Sequence, residues 1–260
     1  MTGVQRLLLE IARCSMAAEI REGRCSDSPC RDIVNFQKNP HLPFHFPEPW
    51  SGDLTRASLL FIGSNPSIDY NEAYPNERWD GGDKKIVAFF EQRFAAQQPH
   101  INSEWRTLQV FGVNQYGNVV PYLRAVHELA KEILRSPPKP GVDYALTEIV
   151  HCKSWGQTGV PEAIALCAER YLDKVLAASG ARVLIVLGAH ARDAICERYT
   201  LPNPKDSRIP NSQLLTIKKR KFEAIFLPHP SAFLRKDKKC IKSVIGPEEF
   251  DRISTLLNAI

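Results

Sequence analysis

The patterns this sequence lacks narrow its chemistry. No G-x-G-x-x-G follows an apolar run, and no Walker phosphate loop, H-E-x-x-H or G-x-S-x-G is present. Those patterns carry dinucleotide binding, phosphate cradling, zinc proteolysis and serine hydrolysis through fixed spacings of glycines, ligands or nucleophiles. Without them, no nucleotide cofactor is expected. A long apolar run is missing too, and the amino terminus opens an amphipathic helix bearing Glu10 and Arg13. It reads neither as a secretory signal nor as a membrane span, so a cytoplasmic protein without membrane association is expected. Seven cysteines occur, yet no pair is spaced as C-x-x-C. An odd number in a cytoplasmic chain argues against a disulfide framework and leaves metal ligation or burial as thiols. The chain contains no internal repeat and no low-complexity tract.

The residues that are present describe a folded domain. At 260 residues, with 43% hydrophobic and 24% charged residues, the chain can bury a full core. A formal net charge of +5 permits an anionic partner without demanding one. Apolar runs at 58–63, 144–150, 182–188 and 222–227 read as strands, the last pairing with 212–217 across Lys218-Lys219-Arg220. Helical periodicity covers 4–20, 84–97, 119–134, 161–180, 189–199 and the stretch from Pro247. Strands alternating with helices predict an α/β fold, a three-layer α/β/α sandwich around a mainly parallel central sheet. A single domain over residues 1–260 is expected, with a helical, cysteine-bearing extension over about 1–50.

Two strand ends stand out. Leu59-Leu60-Phe61-Ile62 is an apolar run that stops in Gly63-Ser64-Asn65-Pro66-Ser67. Gly63 lets the backbone turn tightly and approach a ligand, and Pro66 stiffens the exit. Asn65 is left at the carboxyl end of a strand, where open α/β sheets bind ligands. Far downstream, Phe222 to Leu227 ends in Pro228-His229-Pro230-Ser231, which presents a histidine in the same way.

In order along the chain, these motifs resemble the uracil-DNA glycosylase superfamily. Gly63-Ser64-Asn65-Pro66-Ser67 is similar to its motif one, a G-x-[ND]-P-x turn after the first strand, and His229-Pro230-Ser231 to its motif two. Thr147 through Gly188, with Cys152, Pro161-Glu162 and Cys167, resembles the iron–sulfur branch. The similarity covers residues 56–236, with insertions around 68–143. It implies a uracil-DNA glycosylase-like fold and an enzyme that extrudes a nucleotide from DNA and hydrolyses its N-glycosidic bond. A chain acting as a monomer is expected. His229 then stabilises the departing base anion, and Asn65 orients the attacking water. An amide cannot take a proton at neutral pH, so Asp69, four residues on, is the candidate for added basicity. Gly63 and Ser64 belong to the base pocket. Ser67 and Ser231 are expected at DNA, Phe233 or Leu234 as a minor-groove wedge, and Arg235, Lys236 and Lys238 at phosphates. For the metal, the resemblance implies a [4Fe–4S] cluster on Cys25, Cys30, Cys152 and Cys167. Cys14 is a substitute for either amino-terminal thiol, and zinc is the alternative metal.

Glu148 departs from the family pattern. Aligned on Cys152, it falls where the uracil-reading branch carries asparagine. An ionised glutamate offers only acceptors, repels a carbonyl and suits an amino group such as cytosine N4. The sequence therefore predicts a DNA glycosylase acting on a non-canonical base. A C5-modified cytosine of phage DNA, hence antiviral defence, is the first expectation. The alternatives are a uracil-DNA glycosylase in base-excision repair and a catalytically silent nucleic-acid-binding module.

Overall fold

The computed structural model describes residues 1–94, 99–110, 115–232 and 239–258. In chain order the elements begin with α1 (Gly3–Ala12), α2 (Ser15–Arg21), α3 (Arg31–Phe36), β1 (Trp50–Ser51), β2 (Leu59–Gly63) and α4 (Gly82–Glu91). Next come β3 (Arg106–Leu108), β4 (Tyr116–Val119), α5 (Pro121–Leu134), β5 (Tyr144–Glu148), α6 (Val160–Cys167) and α7 (Asp173–Ala178). A π-helical turn, Ala168–Leu172, joins α6 to α7. The chain then forms β6 (Val183–Leu187), α8 (Ala189–Arg198), β7 (Ser212–Ile217), β8 (Arg220–Leu227), α9 (Ile241–Ile245) and α10 (Pro247–Asn258).

The central sheet has six strands in the order β1-β5-β2-β6-β8-β7. Strands β5, β2, β6 and β8 run parallel, and β1 and β7 close the two edges antiparallel. Side chains alternate across the strands, so each strand feeds two cores. In β2, Leu59 and Phe61 face one core and Leu60 and Ile62 the other; in β6, Val183, Ile185 and Leu187 oppose Leu184 and Val186. The core of Leu59, Phe61 and Ile185 is covered by α5, α9 and α10, and that of Leu60, Ile62 and Leu184 by α1 to α4 and α6 to α8. This is the three-layer arrangement that the uninterrupted apolar strands require.

Some local details depart from the sequence reading. The expected first helix breaks at Arg13-Cys14 into α1 and α2. β1, only two residues long, and the separate β3–β4 ribbon carry too little apolar alternation to read as strands. The hairpin β7–β8 forms as expected, turning through Lys218 and Lys219 with φ of 46° and 73°. No described helix is long and apolar enough to cross a membrane.

Candidate active site

The site begins where β2 and β5 end side by side. Gly63 lies directly opposite Glu148, and a Cβ on Gly63 would stand 2.2 Å from Glu148 Oε2. Glycine is the residue that permits this approach. Beyond the sheet the two loops stay zipped together. Val150 N–H donates to Ser64 O at 2.9 Å, Ser154 N–H to Pro66 O at 3.2 Å, and Ile68 N–H to Ser154 O at 3.3 Å. Asn65 is fixed within this pair, its Nδ2 donating to Ser154 Oγ at 3.0 Å and Pro66 O at 3.1 Å. Its amide hydrogens are thus used, and Oδ1 is the atom free to accept from a water.

His229 follows β8 and is placed by the neighbouring strand. Gly188, with φ of 91°, would bring a Cβ within 3.2 Å of the His229 Cβ, so the turn after β6 leaves room for the histidine. Ser231 holds the ring through Nδ1, with Oγ at 2.6 Å and its backbone N–H at 3.2 Å. With Nδ1 accepting, the proton of the neutral imidazole sits on Nε2. Burial and the nearby Lys239 charge lower the histidine pKa, which favours that neutral form. Tyr122, at the start of α5, stacks on the ring at 5.5 Å with an interplanar angle of 11°.

These groups open onto one cleft of about 290 Å³. Gly63, Ser64, Asn65, Ser67, Asp69, Glu148 and His229 all line it. Ser231 stands behind His229 rather than on the wall. Asp69 is at the rim, where Oδ1 accepts from the Asn71 backbone N–H at 2.9 Å. Phe233, Leu234, Arg235, Lys236 and Lys238 lie outside the described residues.

Sequence reasoning missed the floor of the cleft. Arg93 donates to Glu48 at 2.6 Å and to Ser51 Oγ at 2.9 Å, and pairs with Glu72. Lys153 Nζ stands 3.2 Å from Glu72 and 3.6 Å from Glu48, and 3.7 Å from the centre of the Tyr74 ring. Burial opposes the Glu72 charge, but Lys153 and Arg93 prevail and hold that carboxyl down to about 2. The four charges come from four separate segments, and the only local signal was Glu72 within the polar loop 68–76.

Glu148 lacks such compensation. It is 7% exposed, and its Oε2 has no hydrogen-bond partner among the described residues. Burial, reinforced by the Glu48 charge and only partly offset by Lys153, pushes the carboxyl well above the usual carboxylate range. Burial without a partner thus favours the neutral carboxyl over the ionised glutamate expected from sequence.

The cysteines gather on the far side of β5. Cys14, Cys30, Cys152 and Cys167 line one small cavity with His151, Arg170 and Tyr171. Cys25 does not line it; Cys14, at the α1–α2 break, stands in its place. Tyr171 Oη donates to Cys14 Sγ at 3.3 Å. Burial, then proximity to Cys14, Cys167 and Cys30, raises the Cys152 thiol pKa, and Cys167 is pushed up to about 12. A cationic centre would offset this crowding. Among the described residues, no three His, Cys, Asp or Glu side chains converge closely enough to share one metal ion. Zinc draws its thiolates to one atom at about 2.3 Å, whereas in a [4Fe–4S] cluster each cysteine binds its own iron and the sulfurs stand wider apart. Four thiols on one cavity are the donor type that either a [4Fe–4S] cluster or structural zinc would take.

No curated protein matches this chain at a significant level. The model of the Uracil DNA glycosylase superfamily matches residues 49–255, from β1 into α10, and the chain belongs to that superfamily.

Proposed function

We propose that this protein is a DNA glycosylase that takes a non-canonical base into the cleft and hydrolyses its N-glycosidic bond. The observation that carries the reading is that Asn65 and His229, far apart in sequence, share one cleft with opposite hydrogen-bonding roles. As the bond breaks, negative charge gathers on the base and positive charge on the sugar. His229 Nε2–H, held by Ser231, stabilises the base oxygen as charge develops. Asn65 Oδ1 aligns a water for capture of the sugar cation, and Asp69 at the rim can take its proton. The base we favour is a C5-modified cytosine, because Ile68 and Asp69 of the long loop line the same cleft as Glu148 and are offered to a C5 substituent. Phage DNA is the setting in which such bases abound and a host would gain by excising them. Cys14, Cys30, Cys152 and Cys167 would hold a [4Fe–4S] cluster, which would tie the amino-terminal helices to the segment after β5 and take no part in the bond cleavage.

One observation favours uracil as a second reading. A neutral Glu148 offers both a donor and an acceptor, as the asparagine of uracil-reading relatives does. Incubation with uracil-containing duplexes and with duplexes carrying 5-hydroxymethylcytosine or its glycosylated form separates the two. Alkali-labile abasic sites are expected in the modified-cytosine DNA; sites in uracil DNA alone would return the protein to repair. DNA binding with no abasic site in any duplex would leave a silent binding module.

A further inference from the structure

The base-reading end of the cleft holds two polar atoms that the protein itself does not satisfy. Among the described residues, Glu148 Oε2 and Tyr122 Oη are sealed from solvent without hydrogen-bond partners, and both side chains line the cleft. Oε2 is packed beneath Gly63, which leaves Oε1 as the oxygen presented to a ligand. The surrounding charges explain why no cation reaches the carboxyl. Lys153, after β5, is engaged by Glu72 and Glu48, and Arg93 is divided between the same two carboxylates. The remaining ionisable neighbours on the cleft are Asp69 at the rim, Tyr122 on α5 and His229 across from it. An ionised carboxylate here would be a buried charge without a partner beside a second carboxylate, Glu48.

We propose that Glu148 reads the flipped base as a neutral carboxylic acid. Its cleft-facing oxygen donates to a base carbonyl or accepts from a base amino group, according to which oxygen carries the hydrogen. This rests on the glycosylase reading of the site. It changes what the residue can select. An ionised glutamate accepts only and rejects a carbonyl edge, whereas the neutral acid accommodates both O4 of uracil and N4 of a cytosine. Discrimination between pyrimidines then falls to the space around C5 and not to Glu148.

Glutamine tests this, because it is neutral at every pH and keeps one donor and one acceptor. Two readouts are needed, and neither requires catalysis. The infrared difference spectrum of wild type against Glu148→Gln at pH 7 should contain the carbonyl band of a protonated carboxyl. Affinities are then measured for duplexes carrying non-hydrolysable 2′-fluoroarabino uridine or 2′-fluoroarabino 5-hydroxymethylcytidine. Their ratio should agree between wild type and Glu148→Gln within about threefold, while Glu148→Ala weakens both about tenfold, the loss of one good hydrogen bond. An absent band overturns the proposal. So does a shift of the ratio towards uracil by about tenfold or more in Glu148→Gln, or full affinity in Glu148→Ala. Preserved ratios in a protein that excises neither base would count against the glycosylase reading, not against the neutral acid.

Discussion

In the proposed reaction His229 and Asn65 divide between them the two charges that bond cleavage creates, and each is oriented by a serine. Ser231 holds His229 Nδ1, which puts the proton of the neutral ring on Nε2; Ser154 takes an Asn65 amide hydrogen, which leaves Oδ1 to accept. Leaving-group stabilisation acts in the transition state, so its loss lowers the rate and spares binding. His229→Ala should slow single-turnover excision by about 10²–10³-fold, the usual effect of removing one donor to a developing anion. Asn65→Ala should cost about 10²-fold, because a misplaced water is less costly than a missing electrostatic partner. Both variants should bind duplex DNA as the wild type does, by gel shift or anisotropy. If both excise at the wild-type rate, the two strand-end turns are not the active site. The sequence already pointed to these two residues, because a polar residue ending an apolar strand is a local feature. It could not show that the setting of Glu148 disfavours its charge, because that depends on which cations reach it. Arg93 and Lys153 are both present in the sequence, but that they are already engaged by Glu48 and Glu72 emerges only when four segments meet.

At the scale of elements, the pairing of β2 with β5 sets the geometry of the cleft at Gly63 and Glu148. Gly63 and Glu148 are register partners, so any side chain on the first must displace the second. Gly63→Ala should destabilise the protein by about 1–3 kcal/mol, the range for forcing a group into a packed site. Glu148→Asn, one carbon shorter, should recover part of that loss in the double variant, and a thermal double-mutant cycle measures the coupling. Additive effects would mean that the carboxyl can swing clear and that the register does not constrain the pocket. The long elements were legible because β2, β6 and β8 are apolar on both faces and α5 and α10 repeat at helical spacing. What escaped was structure that pairing creates without a pattern. β1 exists because Trp50 and Ser51 bond to Thr147 and Leu146, and the β3–β4 ribbon is mostly half-exposed. The break after Ala12 escaped for a similar reason. Residues on both sides of it have helical character, and the thiol at Cys14 faces the cavity only because the chain turns there.

Across the whole molecule, two regions with separate sequence origins meet at the cysteines. Cys14 and Cys30 cap the starts of α2 and α3, short helices of seven and six residues that cannot be stable alone. Cys152 follows β5, and Cys167 ends α6 where the helix widens into the π turn at Ala168–Leu172. π turns interrupt helices frequently at functional positions, and this one begins directly after the thiol. A cluster bound by all four would hold the amino-terminal helices against the segment that carries Lys153 and Ser154, and so brace the cleft from behind. Anaerobically purified protein should be brown and contain iron and acid-labile sulfide in equal amounts. Cys14→Ala should lose the colour and melt at lower temperature, because the α1–α3 region is then held by packing alone, whereas Cys25→Ala should keep both. Stoichiometric zinc in colourless protein would put a single ion in place of the cluster and require the thiols to draw closer together. Iron retained in Cys14→Ala but lost in Cys25→Ala would move the fourth ligand to Cys25, and with it the path by which the amino-terminal helices are tied to the sheet.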